Sequence, residues 1–207
     1  MNSIIHACKS RVRTALIFSI AAATAIAASP AASRAQSFSP DTFAVNYYSF
    51  NVPAAPDETV RIINPTGSSR CANLYVFDAN QNLQECCSCG ITSNGLLTLS
   101  VRNQLTATPL AGTVPVTGAI KLLSSTPAVT AGPPVCDINQ PPIPTPALRA
   151  WATHVQLASP PQKIQLTEEE FADSPLDQSE YAKLLDQCLL AVSKRAVCNC
   201  GSATNAP

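Results

Sequence analysis

The stretch "LYVFDANQNLQECCSCG", Leu74–Gly90, places two apolar segments on either side of a short polar run. The polar run at 79–82 is rich in asparagine, which favours turns. The flanking segments are rich in β-branched, aromatic and other apolar side chains, as strands are. The stretch therefore predicts a β-hairpin, and its second strand contains three cysteines in four positions, Cys86, Cys87 and Cys89.

Similar short segments, bounded by turn residues, continue on both sides of this hairpin. Short strands separated by Gly, Pro, Asn and Ser are typical of an all-β sandwich or barrel. The sequence predicts a mainly β fold, namely a disulfide-stabilised β-sandwich of immunoglobulin-like or Greek-key type with a short C-terminal helical segment. Besides the hairpin return strand, the predicted strands are 43–52, 59–64, 71–78, 96–101, 118–125, 148–157 and 163–166.

Helical spacing occurs only near the C-terminus, in a predicted helical segment at 167–200. Thr167 with Glu170 fits a capping box and predicts one short helix. Asp177 with Glu180 predicts a second helix start. An apolar stripe follows, which we expect to pack on the β body. Its members are Tyr181, Leu184, Leu185, Cys188 and Val192.

The N-terminal residues 1–35 have the pattern of a cleaved secretory signal. Basic residues precede an uncharged, mostly apolar run at 14–28, and small residues lie just before a cleavage position after Ala35. The run is shorter than the roughly 20 apolar residues of a membrane-spanning helix. The prediction is therefore an exported protein with no stable membrane anchor after cleavage, located in the periplasm, on the cell surface or in the medium.

Residues 36–207 are predicted to form a single β-rich domain, whose length fits one domain. Seven prolines lie within 126–146. An interdomain linker is one explanation. We instead predict an ordered crossover loop, because a disulfide at Cys136 would attach it to the folded body. The predicted domain has nine basic and thirteen acidic residues, a net charge of −4, which argues against a general nucleic-acid binder.

The cysteine count predicts disulfides. The chain has 9 cysteines, and loss of the signal removes Cys8 and leaves an even number. An even count in an exported chain indicates disulfide bonds, whose pairing the sequence leaves open. If the hairpin turn occupies 79–81, Cys71 falls opposite Cys89, and a bridge between them is expected. The eight predicted disulfide cysteines are Cys71, Cys86, Cys87, Cys89, Cys136, Cys188, Cys198 and Cys200.

The two C-terminal cysteines, Cys198 and Cys200, would share one face of an extended segment. Their candidate partners are Cys86, Cys87 and Cys188, and such bonds would clamp the C-terminal helix to the sheet. Zinc is a rival interpretation, but the spacing differs from the Cys-x₂-Cys pairs of common zinc sites. A thiol–disulfide enzyme is another, but no uninterrupted Cys-x-x-Cys is present. We predict no bound metal and no cofactor.

Other motifs do not complete a catalytic set. "DANQN", 78–82, begins like a calcium loop, but Leu83 replaces the turn glycine, so a polar hairpin turn is predicted. His154 is the one histidine outside the predicted signal, and it is expected to face solvent or to be hydrogen-bonded on a strand. The three acids at 168–170 fit helix capping better than glycoside chemistry. No catalytic residue is therefore assigned.

The segment "LYVFDANQNLQECCSC…NGLLTLSV", Leu74–Val101, resembles one found in exported bacterial proteins that share a cysteine-rich β-hairpin and have no assigned function. The resemblance covers under a fifth of the chain. It implies an exported, cysteine-stapled β module and brings no catalytic residues.

The working hypothesis is a secreted or cell-surface, non-enzymatic binding or structural module. Its partner would be an unknown protein or glycan at the cell exterior. An extracellular hydrolase that uses carboxylates is the first alternative. A subunit of a surface assembly, joined through the aromatic strand Phe43–Phe50, is the second.

Overall fold

The computed structural model describes residues 41–50, 52, 55–128, 135–158 and 163–201. All of these residues belong to one compact unit. The predicted signal peptide lies outside the described residues.

The described residues are mainly β, as the sequence predicts. One α-helix, α1 (Gln178–Ser193), and one short π-helical turn (Val101–Leu105) accompany the strands. The strands are β1 (Phe43–Ser49), β2 (Thr59–Ile63), β3 (Arg70–Asp78), β4 (Leu83–Ile91), β5 (Leu96–Ser100), β6 (Thr117–Thr126), β7 (Ile143–Pro144), β8 (Arg149–Ala158), β9 (Lys163–Glu170) and β10 (Ala172–Asp173).

Within the described ranges, the strands form two antiparallel sheets. The six-stranded sheet has the order β10-β1-β6-β3-β4, with β7 paired to one end of β6. The four-stranded sheet has the order β5-β2-β8-β9. The last passage from the four-stranded sheet to the six-stranded sheet is at Phe171, which is buried between β9 and β10.

Both sheets contribute to a shared apolar core. Every second residue of a strand points to the same face, and the inward residues of β2, β5 and β8 meet those of β3, β4 and β6. Members of this core include Val60, Ile62, Leu97, Leu99, Ala150, Leu74, Val76, Ile120 and Leu122.

Helix α1 covers the opposite face of the six-stranded sheet. Asp177 is its N-cap, and its side chain accepts a hydrogen bond from the backbone N–H of Glu180, which confirms the second predicted helix start. Lys121 on β6 forms an ion pair with Glu180 at 2.5 Å. A second apolar core lies between this sheet and α1. Its members include Phe43, Tyr75, Phe77, Leu123, Leu184, Cys188 and Ala191.

The first predicted helix is wrong. Residues 163–170 form strand β9, which is paired with β8 along its whole length. The capping-box pattern of Thr167 and Glu170 is a local signal, and tertiary pairing with a neighbouring strand overrides it. Within the described part of the predicted segment, helix is therefore confined to α1, and residues 197–201 are not helical.

The predicted hairpin is β3 and β4, with a β-bulge in its second strand. Val76 lies opposite Glu85, whereas Phe77 lies opposite Leu83. Gln84 is thus an extra residue on β4, and an extra residue shifts all the pairs beyond it by one position.

The bulge changes which cysteines face each other. Cys89 lies opposite Ala72, and Cys71 lies opposite Gly90. The predicted bond between Cys71 and Cys89 is therefore wrong. Cys71 is bonded to Cys136 instead, which attaches the proline-rich segment to β3.

Gly118 on β6 is required where β6 and β3 approach closely. A Cβ atom there would lie 1.9 Å from the carbonyl oxygen of Phe77 and 2.7 Å from the hydroxyl of Tyr48. That hydroxyl donates a 3.0 Å hydrogen bond to the same carbonyl. No side chain fits at this position without moving the backbone, since real Cβ atoms do not come so close to other atoms.

Candidate functional site

His154 lies on the inner face of β8, where β1 covers it. Ala150, Ala152 and His154 alternate along the strand and are all buried, and His154 is only 1% exposed. Its ring stacks on the ring of Tyr47 from β1, with centroids 4.0 Å apart and planes inclined by 3°. The expected solvent-facing position is therefore wrong, because a distant strand closes over this side of β8.

Glu58 is a buried carboxylate directly before β2. Its Oε2 accepts a hydrogen bond from the backbone N–H of Ser49 at 2.9 Å, and its Oε1 accepts one from Val155 at 3.2 Å. The ladder between β2 and β8 ends at Thr59 and Thr153. Beyond this last pair, the Glu58 carboxylate supplies the hydrogen-bond acceptors that a further β2 residue would otherwise supply. It therefore joins β1, β2 and β8.

His154 lies between two carboxylates and is hydrogen-bonded to neither. Nδ1 is 3.8 Å from Oε1 of Glu58, and Nε2 is 3.7 Å from Oε2 of Glu169 on β9. Among the described residues, neither ring nitrogen has a hydrogen-bond partner. The expected hydrogen bond is therefore also absent. A buried polar group without a partner costs about 1–3 kcal/mol.

The cluster of Glu58, His154 and Glu169 contains an acid and a histidine, as a hydrolytic site does, but it lacks a nucleophile. In a catalytic triad, an acid orients one imidazole nitrogen and the other nitrogen faces a nucleophile. Here the second nitrogen faces Glu169, and no hydroxyl or thiol of the described residues is bonded to it. Tyr47 also covers the ring. The described residues therefore do not form a base–nucleophile pair at His154.

The three consecutive acids lie on β9 and point to alternate faces. Glu168 forms an ion pair with Arg61 of β2 on the outer face. Glu169 faces the histidine on the other side of the strand. Glu170 lies 3.5 Å from Nε of Arg149. Each acid thus has a different neighbour, and none of them caps a helix.

A polar cleft of about 290 Å³ lies where β9 passes into β10. Asp41, Glu170 and Asp173 line it together with Arg149. Nε of Arg149 is 3.9 Å from Oδ1 of Asp41, and Oδ1 of Asp173 accepts a 3.3 Å hydrogen bond from the backbone N–H of Asp41. Three carboxylates therefore line the cleft, and Arg149 partly compensates the charges of two of them, Asp41 and Glu170.

The outer face of the four-stranded sheet is exposed and chemically mixed. Trp151 is partly exposed and lies directly across from Arg61 on β2 and Glu170 on β9. The ion pair of Arg61 with Glu168 lies on the same face. Toward the far end of the β8–β9 hairpin, the same face exposes Leu157, Ile164 and Leu166. An aromatic ring flanked by charged side chains can bind either a sugar ring or a peptide.

The eight cysteines form four disulfides, which confirms the predicted disulfide bonding. Cys86 is bonded to Cys188, so α1 is attached to β4. Cys87 is bonded to Cys198, one of the expected partners. Cys200 is bonded to Cys89, a pair that the sequence analysis did not expect. In this oxidised form none of the eight is a thiolate, the species that binds metals or attacks disulfides.

The predicted polar turn at "DANQN" is confirmed. Oδ1 of Asp78 accepts hydrogen bonds from the backbone N–H groups of Asn80 and Asn82, each at 2.9 Å. Its Oδ2 accepts one from the side chain of Gln84 at 2.9 Å. Gln81 has a positive φ of 64°, which closes the turn. The carboxylate is therefore used to hold the turn.

Glu85 is a buried acid that sequence reasoning missed. It lies at the β4 bulge and is 0% exposed. Burial raises the pKa of Glu85 from 4.5 to about 7, although hydrogen bonds from Thr108 act in the opposite direction. The Thr108 backbone N–H and hydroxyl lie 2.5 and 3.3 Å from its oxygens. The available signal was the pair of adjacent polar residues Gln84 and Glu85, because two polar neighbours on a strand cannot both point to its exposed face.

An apolar pocket of about 60 Å³ lies between the proline-rich segment and α1. Ile138, Pro141, Leu185 and Leu189 are among its lining residues. Ligand sites for drug-sized molecules measure about 300–1,000 Å³, so this pocket is too small for one.

No helix in the described part of the chain is long and apolar enough to span a membrane. Comparison of the chain with protein-family models, with curated proteins and with solved structures found no match.

Proposed function

We propose that this protein is a non-enzymatic binding or structural module that acts at the exterior of a bacterial cell, on a protein or glycan partner. The observation that supports this proposal is the environment of His154. The ring is 1% exposed, lies under Tyr47 and has no bonded nucleophile among the described residues. A side chain so enclosed cannot contact a substrate.

The four disulfides support the proposed location. Disulfides persist in oxidising compartments and are rare in reducing ones, and four of them cross-link this chain. Export by a cleaved signal at 1–35 would deliver the chain to such a compartment. We also propose that the two sheets form an immunoglobulin-like or Greek-key β-sandwich, because they share one apolar core.

The outer face around Trp151 is the surface we propose for binding. The chain contains one tryptophan, so tryptophan emission, excited where tyrosine does not absorb, reports on this face. Titration with soluble cell-envelope glycans should change the emission if the partner is a glycan. Calorimetric titration, which needs no tryptophan, should show weaker binding for Trp151→Phe and for Arg61→Ala. Leu189→Ala on the distant helix α1 serves as the matched control. Equal affinity of all variants would place the binding surface elsewhere.

An enzyme assay tests the non-enzymatic claim directly. The purified protein is expected to leave ester, peptide and glycoside substrates unchanged. Turnover that disappears in His154→Ala and persists in Glu168→Gln would overturn the proposal, because Glu168 lies on the outer face away from the histidine.

A hydrolase is the second candidate, and the cleft of Asp41, Glu170 and Asp173 is the observation that favours it. Its three carboxylates surround a space of about 290 Å³. Turnover of a glycoside that is lost in Asp173→Asn and in Glu170→Gln would establish this candidate. The third possibility, an assembly through Phe43–Phe50, has less support, because β6 pairs with this strand from Phe43 to Ser49. A monomer mass that is independent of concentration would remove it.

A further inference from the structure

Two disulfides lie side by side at the edge of the six-stranded sheet. Cys87 and Cys89 are two residues apart on β4 and point to the same face, and both belong to the core between the sheets. Their partners, Cys198 and Cys200, have the same spacing on the C-terminal segment. The two bonds therefore lie next to each other, and the sulfur atoms of Cys87, Cys89 and Cys200 form one close group.

We propose that Cys87, Cys89, Cys198 and Cys200 form a four-thiolate zinc site when both disulfides are reduced. Each disulfide takes two electrons and two protons from a dithiol reductant, which is oxidised to its own disulfide. The two bonds thus yield four thiols. A zinc ion then replaces four protons, and the resulting centre has a net charge of −2.

Three of the four sulfur atoms already lie near the positions of tetrahedral zinc ligands, and the fourth, that of Cys198, is bonded to Cys87. A tetrahedral zinc ion with Zn–S bonds of about 2.3 Å has sulfur atoms about 3.8 Å apart. The Sγ atoms of Cys87 and Cys89 are 3.8 Å apart in the oxidised protein. Those of Cys87, Cys89 and Cys200 all lie within 4.8 Å of one another. Once a disulfide of about 2 Å is broken, its two sulfurs need to separate by less than about 2 Å.

The backbone around the cluster is held by bonds that reduction does not break. The C-terminal segment runs parallel to β4, with Val197 bridged to Cys86. The backbone N–H of Cys198 donates to the carbonyl of Cys86 at 3.3 Å. The N–H of Asn199 donates to the carbonyl of Gln104 at 2.9 Å. These bonds keep both pairs of cysteines close together after the sulfur–sulfur bonds are gone.

Burial gives the site a closed side and an open side. Cys87, Cys89 and Cys198 are 2%, 1% and 4% exposed, whereas Cys200 is partly exposed. A reductant can therefore reach the Cys89–Cys200 bond at Cys200, whereas both cysteines of the Cys87–Cys198 bond are buried. Exclusion of water on the other side favours a closed structural site rather than a catalytic one, which would need an open position.

The remaining disulfides provide matched controls. The Cys71–Cys136 bond is on β3 and the proline-rich segment, and the Cys86–Cys188 bond faces α1 on the other side of β4. Within the described residues, Cys87, Cys89 and Cys200 are the one group of three or more potential metal ligands whose ligand atoms lie this close together.

Cobalt binding tests the proposal. The full chain is reduced under anaerobic conditions with a phosphine and titrated with Co²⁺, whose thiolate charge-transfer and tetrahedral absorption bands report the ligand set. We expect one equivalent of cobalt, displaced by zinc, in the wild type and in Cys71→Ser/Cys136→Ser. The oxidised chain and Cys89→Ser/Cys200→Ser should show no such bands. Absence of the bands in the reduced wild type would overturn the proposal, as would an unchanged signal in Cys89→Ser/Cys200→Ser.

Circular dichroism covers the case in which the reduced chain unfolds. The strand signal should then return when zinc is added to the wild type or to Cys71→Ser/Cys136→Ser, but not when it is added to Cys89→Ser/Cys200→Ser. Recovery of the strand signal in all three proteins, or in none of them, would contradict a site built from these four cysteines.

Discussion

β4 and β9 are both outer strands of their sheets, and they are protected in different ways. β4 is buried at seven of its nine positions, and the C-terminal segment and three disulfides cover it. β9 is exposed at all eight positions and has a lysine at one end and three glutamates at the other. An uncovered strand edge invites pairing with other chains, and charged side chains discourage it. A buried edge strand needs a partner, whereas an exposed one can rely on charge.

This difference divides the molecule into a cross-linked side and an open side. The cross-linked side contains the β4 disulfides, the helix and the buried acid Glu85. The open side contains Trp151, the acidic cleft and the buried ring of His154, whose two nitrogens lack hydrogen bonds to the described residues. We therefore expect stability to depend mainly on the first side and recognition on the second.

Removal of the Cys86–Cys188 disulfide should have the largest effect. This bond joins two cysteines that are 102 positions apart in the sequence. The loss of a native disulfide lowers the free energy of unfolding by about 2–5 kcal/mol. Urea unfolding of Cys86→Ala/Cys188→Ala should show this decrease in the free energy of unfolding. Lys163→Ala on β9 is the control and should stay within about 0.5 kcal/mol of the wild type. A loss below about 1 kcal/mol in the double variant would mean that β4 does not depend on covalent attachment of α1.

Glu58→Ala should have the next largest effect. On the open side the Glu58 carboxylate joins separate strands by hydrogen bonds, as disulfides join separate segments on the cross-linked side. Its loss leaves the backbone N–H groups of Ser49 and Val155 without their acceptor. An unsatisfied buried group costs about 1–3 kcal/mol, and the partly buried N–H of Ser49 should cost less than the buried N–H of Val155, so we expect a loss of about 1–4 kcal/mol. Glu58→Gln retains one acceptor and should lose less.

The control for this prediction is Glu169→Gln, whose side chain is 60% exposed. It should change the free energy of unfolding by less than about 0.5 kcal/mol. Equal effects of Glu58→Ala and Glu169→Gln in urea unfolding would show that the buried carboxylate does not join the strands.

Glu85 should make stability fall as pH rises. Burial raises its pKa from 4.5 to about 7 in the folded protein. Between these values the folded state retains a proton that the unfolded chain has lost, so unfolding releases a proton and becomes easier as pH increases. One proton gives a slope of at most about 1.4 kcal/mol per pH unit, and at most about 3 kcal/mol over the whole interval.

Glu85→Gln should remove this dependence, because glutamine resembles the protonated acid. It should match the wild type near pH 4.5 and be more stable than the wild type at pH 8. Parallel pH profiles of the two proteins in urea unfolding would contradict the raised pKa. Asp137→Asn, at an exposed turn where hydrogen bonds from Asn139 lower the pKa, is a control that should leave the slope between pH 5 and 8 unchanged.

The sequence predicted the strands well because their signals are local. Alternation and turn residues located the β3–β4 hairpin, and Asp177 located the start of α1. The errors arose where distant residues decide the outcome. Pairing with β8 overrode the capping pattern at Thr167, and the single bulge at Gln84 displaced Cys71 from Cys89.

The candidate site was harder to predict for the same reason. His154 was visible as the one histidine beyond the predicted signal, but its burial depends on Tyr47, more than a hundred positions earlier in the chain. Glu58 gave no local sign that it would accept bonds from two strands. The alternation of apolar and polar side chains along β8 predicts two faces of the strand, but it does not show which face another strand covers.

The ion pair of Arg61 with Glu168 should have the smallest effect. It joins β2 to β9 across the outer face, and both side chains are 47% exposed. Water and salt screen such pairs, which typically contribute about 0.2–1 kcal/mol. A double-mutant cycle with Arg61→Ala and Glu168→Ala in urea unfolding should give a coupling energy in this range that decreases as salt is added. A coupling above about 2 kcal/mol would show that charge stabilises the β9 edge about as strongly as a disulfide stabilises β4, and the contrast between the two edges would fail.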